Sequence, residues 1–322
     1  MSDHHFGTKV NTLIQRRESF MLLILIFVFV VMSFLAPDTF FTQENMFNIL
    51  KQISLISIIA IGQTFIMITG GIDLSVGYSL GLAGIVMTKF MGLGLEPGLA
   101  IGLGLITGVS VGFLNGLLIT TLKLPPFIVT LGMANIARGF TYVITKGFPI
   151  ALDNQFVSDL GNGYWGPIPI MTVIMLLLVL IAHFMLSSTT FGNRILGIGG
   201  NETATLLSGI SVKKYKISVY TITGLLCGIA GTIMVGRLNG GNPNAGLNFD
   251  MDSIAASIVG GTALAGGEGT IVGTIIGALL LGTIRNALVL LNVNMYWQTV
   301  VVGVIIIAVC GIDNYAQSKK KS

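Results

Sequence analysis

Few polar residues interrupt the apolar runs of this sequence, and those few limit the chemistry open to it. Arg138 follows Asn135 by three residues, which places both on one face of a helix. A guanidinium beside a carboxamide can hydrogen-bond the hydroxyls of a passing solute; the alternative is an arginine tied to helix-end carbonyls or to an aspartate. Asp73, in the turn Gly70-Gly71-Ile72-Asp73-Leu74-Ser75, either caps the helix that follows or pairs with a basic group at a gate. Gln63, Thr64, Asn115 and Asn286 add neutral donors and acceptors. A neutral polar lining suits an uncharged, hydroxyl-rich solute better than an ion, although the same residue types also hold membrane helices together.

Catalytic chemistry finds no support. His4 and His5 stand in a terminal tail, and His183 is alone in an apolar run, where a packing or interfacial role is the simpler reading. Metalloprotease, paired-cysteine and serine-elbow motifs are absent. Cys227 and Cys310 sit in apolar runs without ligand neighbours and read as small buried hydrophobes. No lysine follows a glycine, so the phosphate-cradling G-x-x-x-x-G-K-[ST] loop cannot occur. If ATP drives this protein, a partner binds it.

The elements that would position these residues are membrane spans. Only 9% of the 322 residues are charged, against about 25% in soluble domains, and the mean hydropathy is +0.88. A span needs about 20 mostly apolar residues. Candidate spans run over 20–36, 47–69, 73–92, 98–120, 127–145, 168–186, 217–236, 252–266, 270–291 and 295–312, about ten transmembrane helices in an all-α polytopic membrane protein. The eighth is short and glycine-broken. The first has no small-x-small cleavage site after it and reads as an uncleaved helix. The chain thus divides into an N-terminal tail (1–19), one membrane domain (20–312) and a basic tail (313–322). With both termini inside, 11 of the 17 basic residues fall on the cytoplasmic side, including Arg194, Lys213, Lys214 and Lys216 in the loop 187–216. That bias also accounts for the net charge of +4, and no basic face is left over for nucleic acid.

Glycine is frequent, 43 residues, and is spaced for close helix packing. Gly104, Gly108, Gly112 and Gly116 form one ridge, and Gly269, Gly273 and Gly277 repeat it roughly 170 residues on, with Asn115 and Asn286 in similar places. The turn at 70–75 has a counterpart in Phe249-Asp250-Met251-Asp252-Ser253. Spans 2–5 and 7–10 start on opposite sides, so the repeat is inverted, a plan that transporters share.

Three stretches carry a resemblance. Residues 70–77 read GGIDLSVG, residues 199–210 read GGNETATLLSGI, and residues 258–269 read IVGGTALAGGEG. In this order and spacing they resemble the membrane permease subunits of ribose-type, binding-protein-dependent ABC sugar importers, over about residues 40–312. Asn201 can cap a short helix running to Ser208, with Gly209 ending it in a left-handed turn. The resemblance implies that this loop (Gly199, Gly200, Asn201, Glu202, Thr203, Ser208, Gly209) is the coupling helix gripped by the ATPase. Glu268 is either a second contact or a solvated turn residue. The implied partners are ABC ATPase subunits carrying ATP and magnesium, an extracytoplasmic sugar-binding protein, and a second permease copy or homologue. The implied setting is the bacterial inner membrane. Asp153, Asp159, Asp250 and Asp252 are expected to face basic groups on the binding protein. A pentose, hexose or related polyol is the expected solute. An ion-driven secondary transporter and an intramembrane enzyme are the rival readings; the first wants a mid-span carboxylate, the second a catalytic dyad.

Overall fold

The computed structural model describes residues 17–305 except 295, together with 307, 308 and 311. The tail up to residue 16, Cys310 and the basic tail at 313–322 lie outside the described residues.

The regular structure of the described chain is helical apart from four two-residue strands. In order, the elements are α1 (Arg17–Leu35), α2 (Pro37–Phe40), α3 (Gln43–Ile68), α4 (Val76–Gly92), α5 (Pro97–Thr121), α6 (Pro126–Thr145), β1 (Ile150–Ala151), α7 (Gln155–Asn162), β2 (Tyr164–Trp165), β3 (Ile168–Pro169), α8 (Ile170–Ser188), α9 (Thr190–Gly200), α10 (Glu202–Leu207), α11 (Val212–Leu238), β4 (Gly240–Gly241), α12 (Phe249–Val259) and α13 (Ile271–Leu290). A further apolar helix, α14, covers Tyr296–Ile305. Antiparallel pairs β1–β4 and β2–β3 are small clasps in the connections. The protein is an all-α membrane protein.

Each predicted run overlaps one helix. Six of these helices, α3, α5, α6, α8, α11 and α13, are long and apolar enough to cross a bilayer by themselves. The predicted eighth span, 252–266, is corrected: α12 stops at Val259, and its eleven residues rise only about 16 Å, half of a hydrocarbon core of about 30 Å. Gly261, just past its end, takes a positive φ angle, as do Gly266 and Gly267 in the turn that follows.

Two helices form the heart of the bundle. Most of α3 is buried, and so is most of α11. Leu55, Ile58, Ile59 and Phe65 of α3 meet Val219, Tyr220, Ala230 and Ile233 of α11 in the main core. The ridge on α5 packs on α11: side chains at Gly108 and Gly112 would strike the backbone at Gly224, and one at Gly116 would strike Ile217. Gly104 faces α4 instead, at Ala83 and Met87. On α13 the expected ridge is shorter than predicted. Gly273 and Gly277 lie against Gly260 and Ala256 of α12, but Gly269 precedes the helix and sits beside Ile68 and Thr262. The contacts are reciprocal: α11 packs on α4 and α5, as α3 packs on α12 and α13.

After α11 the chain turns back into the bundle. Gly241 lies against Thr88 and Ile85, near the end of α4, whereas Gly246 lies against Gly77 at its start. The segment 239–248 therefore retraces α4 over eleven residues, about 16 Å. There α12 begins, beside the start of α4. Two helices thus begin side by side inside the bundle, one running to each end.

Candidate functional site

The first polar group forms where α4 begins. The Asp73 carboxylate is buried; its Oδ1 accepts the Ser75 N–H at 2.7 Å and the Ser75 hydroxyl at 2.6 Å. Asn115 on α5 donates to the Ser75 hydroxyl oxygen at 2.8 Å and, more weakly, to Asp73 Oδ2 at 3.4 Å. Gln63 on α3 lays its amide along the Asp73 peptide, donating to its carbonyl and accepting its N–H, both at 3.2 Å. The Thr130 hydroxyl of α6 reaches the Ile72 carbonyl at 3.3 Å. Three helices, α3, α5 and α6, therefore tie down the extended turn that leads into α4.

This placement revises the expectation for Asp73. It was expected at the edge of the membrane, but it lies within the bundle, because α4 starts only after the seven non-helical residues 69–75 have run back inward from Ile68. It does not cap α4 directly; Ser75 is the cap residue and Asp73 closes the turn before it. Among the described residues it has no basic partner.

A second acid stands where α12 begins. Asp252 is buried and held by Arg285 of α13 through two bonds, of 2.7 and 2.5 Å. The expectation that Asp252 meets an external partner is thereby overturned, since both oxygens are occupied inside the bundle. Asp250, two residues earlier, is half-buried. Asp153 is exposed, and Asp159 is bonded to Gln155 at 2.7 Å. Both belong to the connections near β1.

Gln63, Asp73 and Asn115 are thus brought together, whereas Asn286, Asn135 and Arg138 are not part of that group. Asn286 exchanges bonds with Asn45 near the start of α3, at 2.7 and 3.1 Å. Thr64 joins Thr274 and Ser257 in a hydroxyl cluster between α3, α13 and α12. Asn135 donates to the Leu131 carbonyl of its own helix. Arg138 is exposed, with its guanidinium carbon 5.6 Å from the Tyr78 ring centre and 5.8 Å from that of Tyr142. Sequence reasoning missed these tyrosines and Tyr220, whose buried hydroxyl lies beside Gly71. A phenol inside an apolar run was the available signal.

The third group is at the Ile68 end of the bundle. Here the stretches 70–77, 199–210 and 258–269 converge. The Gly267 N–H donates to the Ile68 carbonyl at 2.9 Å. A side chain at Gly199 would strike that same carbonyl and Gly267, and one at Gly266 would strike Gly70. From this base α9 and α10 project. Asn201 caps α10 by accepting the Ala204 N–H at 2.9 Å, and Gly209 leaves it with φ +81°, both as expected. Glu202 pairs with Lys216 at 2.7 Å, and Arg194 bonds the Tyr215 hydroxyl. Leu207 is 84% exposed and Leu206 59%. The short helix is thus fixed to the bundle at its base and turns two leucines and an acid outward. Among the described residues no cluster of histidine, cysteine, aspartate or glutamate could hold a metal ion.

A family model described as "Branched-chain amino acid transport system / permease component" matches residues 45–310. The chain belongs to that permease family. The ribose import permease protein RbsC of Escherichia coli K12 is 42% identical over 322 residues, 98% of each chain. That of Bacillus subtilis is 42% identical over 290 residues, 89% of this chain and 90% of its own. The D-allose transport system permease protein AlsC of E. coli K12 is 37% identical, covering 90% of this permease and 89% of its own length. No solved structure matches.

Proposed function

We propose that this chain is the membrane-spanning subunit of an ATP-binding cassette importer that carries an uncharged monosaccharide, ribose before others, into the bacterial cytoplasm. The observation that carries the reading is end-to-end similarity to ribose permeases, 42% over 98% of the chain, with the three motif stretches gathered at one end of the bundle. That end is cytoplasmic in this reading, as the basic residues of 187–216 and the tail at 313–322 require. Both termini are then inside the inner membrane, and ten helices cross or enter it. α12 does so as a half-span completed by the return segment 239–248. The reciprocal packing of α3 and α11, and the two helix starts inside the bundle, support an inverted repeat of α3–α6 and α11–α14.

ATP and magnesium belong to partner ATPases. These dock on Gly199, Gly200, Asn201, Glu202, Thr203, Ser208 and Gly209, with Leu206 and Leu207 as the apolar contact. A second permease copy or homologue completes the path, and a sugar-binding protein delivers solute from outside. The test is reconstitution of the complex from its own cell into proteoliposomes. ATP-dependent ribose uptake that survives a protonophore is the expected result. Uptake that needs an ion gradient and ignores ATP would instead favour a secondary transporter, for which buried Asp73 is the one structural argument.

A further inference from the structure

We propose that the surface formed by Tyr78, Arg138, Tyr142 and Asn244 is a solute-contact site partway through the membrane, and that it takes compounds bearing adjacent hydroxyls; this rests on the importer reading above. Arg138 is twelve residues into α6, so about 18 Å from one end of that helix and about 10 Å from the other. A guanidinium at that depth is costly unless it faces water or a partner. Among the described residues it has no hydrogen-bond or ion-pair partner. Its neighbours are two tyrosine rings, each at cation–π distance, and they leave its five N–H donors free.

The neighbouring polar atoms add both donors and acceptors. Tyr142 donates its hydroxyl to Asn244 Oδ1 at 2.6 Å, which orients the amide and leaves its NH₂ unpaired. Asn244 itself is set by Asn242, whose side chain accepts its backbone N–H at 2.9 Å. It is exposed, on the return segment that lies along α4. A planar fork of donors matches two oxygens on adjacent carbons, the amide supplies further donors, the phenol oxygens accept, and the ring faces offer apolar contact to C–H groups. The Asp250 backbone N–H lies beside Gly77, one residue from Tyr78, so the start of α12 borders this surface.

The experiment uses the full complex in vesicles, with Cys227 and Cys310 replaced by alanine. Asn244→Cys is labelled with a membrane-impermeant thiol reagent and compared with Val143→Cys, one position past Tyr142 and turned about 100° around the helix. Expected is labelling at least tenfold faster at 244 than at 143. Arg138→Lys and Tyr142→Phe are expected to lower the maximal ribose uptake rate at least fivefold at unchanged complex yield. Uptake within twofold of the parent in both variants, or equal labelling at 244 and 143, overturns the site. Absence of ATP-driven sugar uptake in the unsubstituted parent overturns the importer reading instead.

Discussion

Arg285 crosses from α13 to take both oxygens of Asp252 at the start of α12. Asn115 makes the corresponding reach from α5 to Ser75 and Asp73 at the start of α4. Each interior helix start is therefore anchored by the helix that follows it. One anchor is charged and the other neutral, so the two halves differ in how much they lose if the anchor is cut.

The charged anchor sets the first prediction. Arg285→Met leaves Asp252 buried without its partner, a change that costs about 3–5 kcal/mol in the analogous soluble case. The variant is expected to lose most of its monodisperse yield in mild detergent. Asp252→Asn with Arg285→Gln, which keeps hydrogen bonding without charge, should recover a large part of it, as read by fluorescence-detected size exclusion.

Asp73 separates a structural from an ion-coupling role. Asp73→Asn keeps an oxygen to accept the Ser75 N–H and hydroxyl, and should retain uptake within about threefold. Asp73→Leu strands those donors, at about 1–3 kcal/mol for each buried group left unpaired, and should abolish folding or uptake. Complete loss of ion-driven uptake in the asparagine variant, at normal membrane level, would make the carboxylate itself the working group.

The α5–α11 crossing predicts a steep dependence on size. Gly112→Leu would drive a side chain into the Tyr220 carbonyl and Gly224, and overpacking of this kind costs about 1–3 kcal/mol or more. Gly132→Leu, where nothing lies within 4 Å, is expected to be neutral. Thermal-shift midpoints of the two purified variants check the contrast.

On the docking helix, Leu207→Asp is expected to reduce uptake at least tenfold without altering the amount of permease in the membrane, because that side chain touches little of its own chain. Glu202→Lys should act in the same direction, and Glu202→Lys with Lys216→Glu should recover part of the loss. Pull-down of the ATPase with each variant distinguishes failed docking from failed coupling.

Helix type and approximate position were legible because apolar runs of about 20 residues leave little choice in a bilayer. The cap at Asn201 and the stop at Gly209 were legible for the same local reason, that side-chain and φ preferences act within a few residues. Asp73 was misplaced because its depth depends on chain that runs inward without being helical, and no periodicity marks such a segment. The return segment 239–248 escaped notice for the same cause. Partners across the bundle, Asn45 with Asn286 or Arg285 with Asp252, are set by long-range packing, and spacing along one chain does not encode them.

The bond from Gly267 N–H to the Ile68 carbonyl joins residues nearly two hundred positions apart. At ribosomal speeds of about 5–20 residues per second, the first of these leaves the peptidyl-transferase centre roughly 10–40 s before the second. Throughout that interval the end of α3 lacks the donor that completes it. The end of α3 is therefore completed only when the second half of the membrane domain arrives, so substitutions at 266 and 267 act on assembly as well as on the finished bundle.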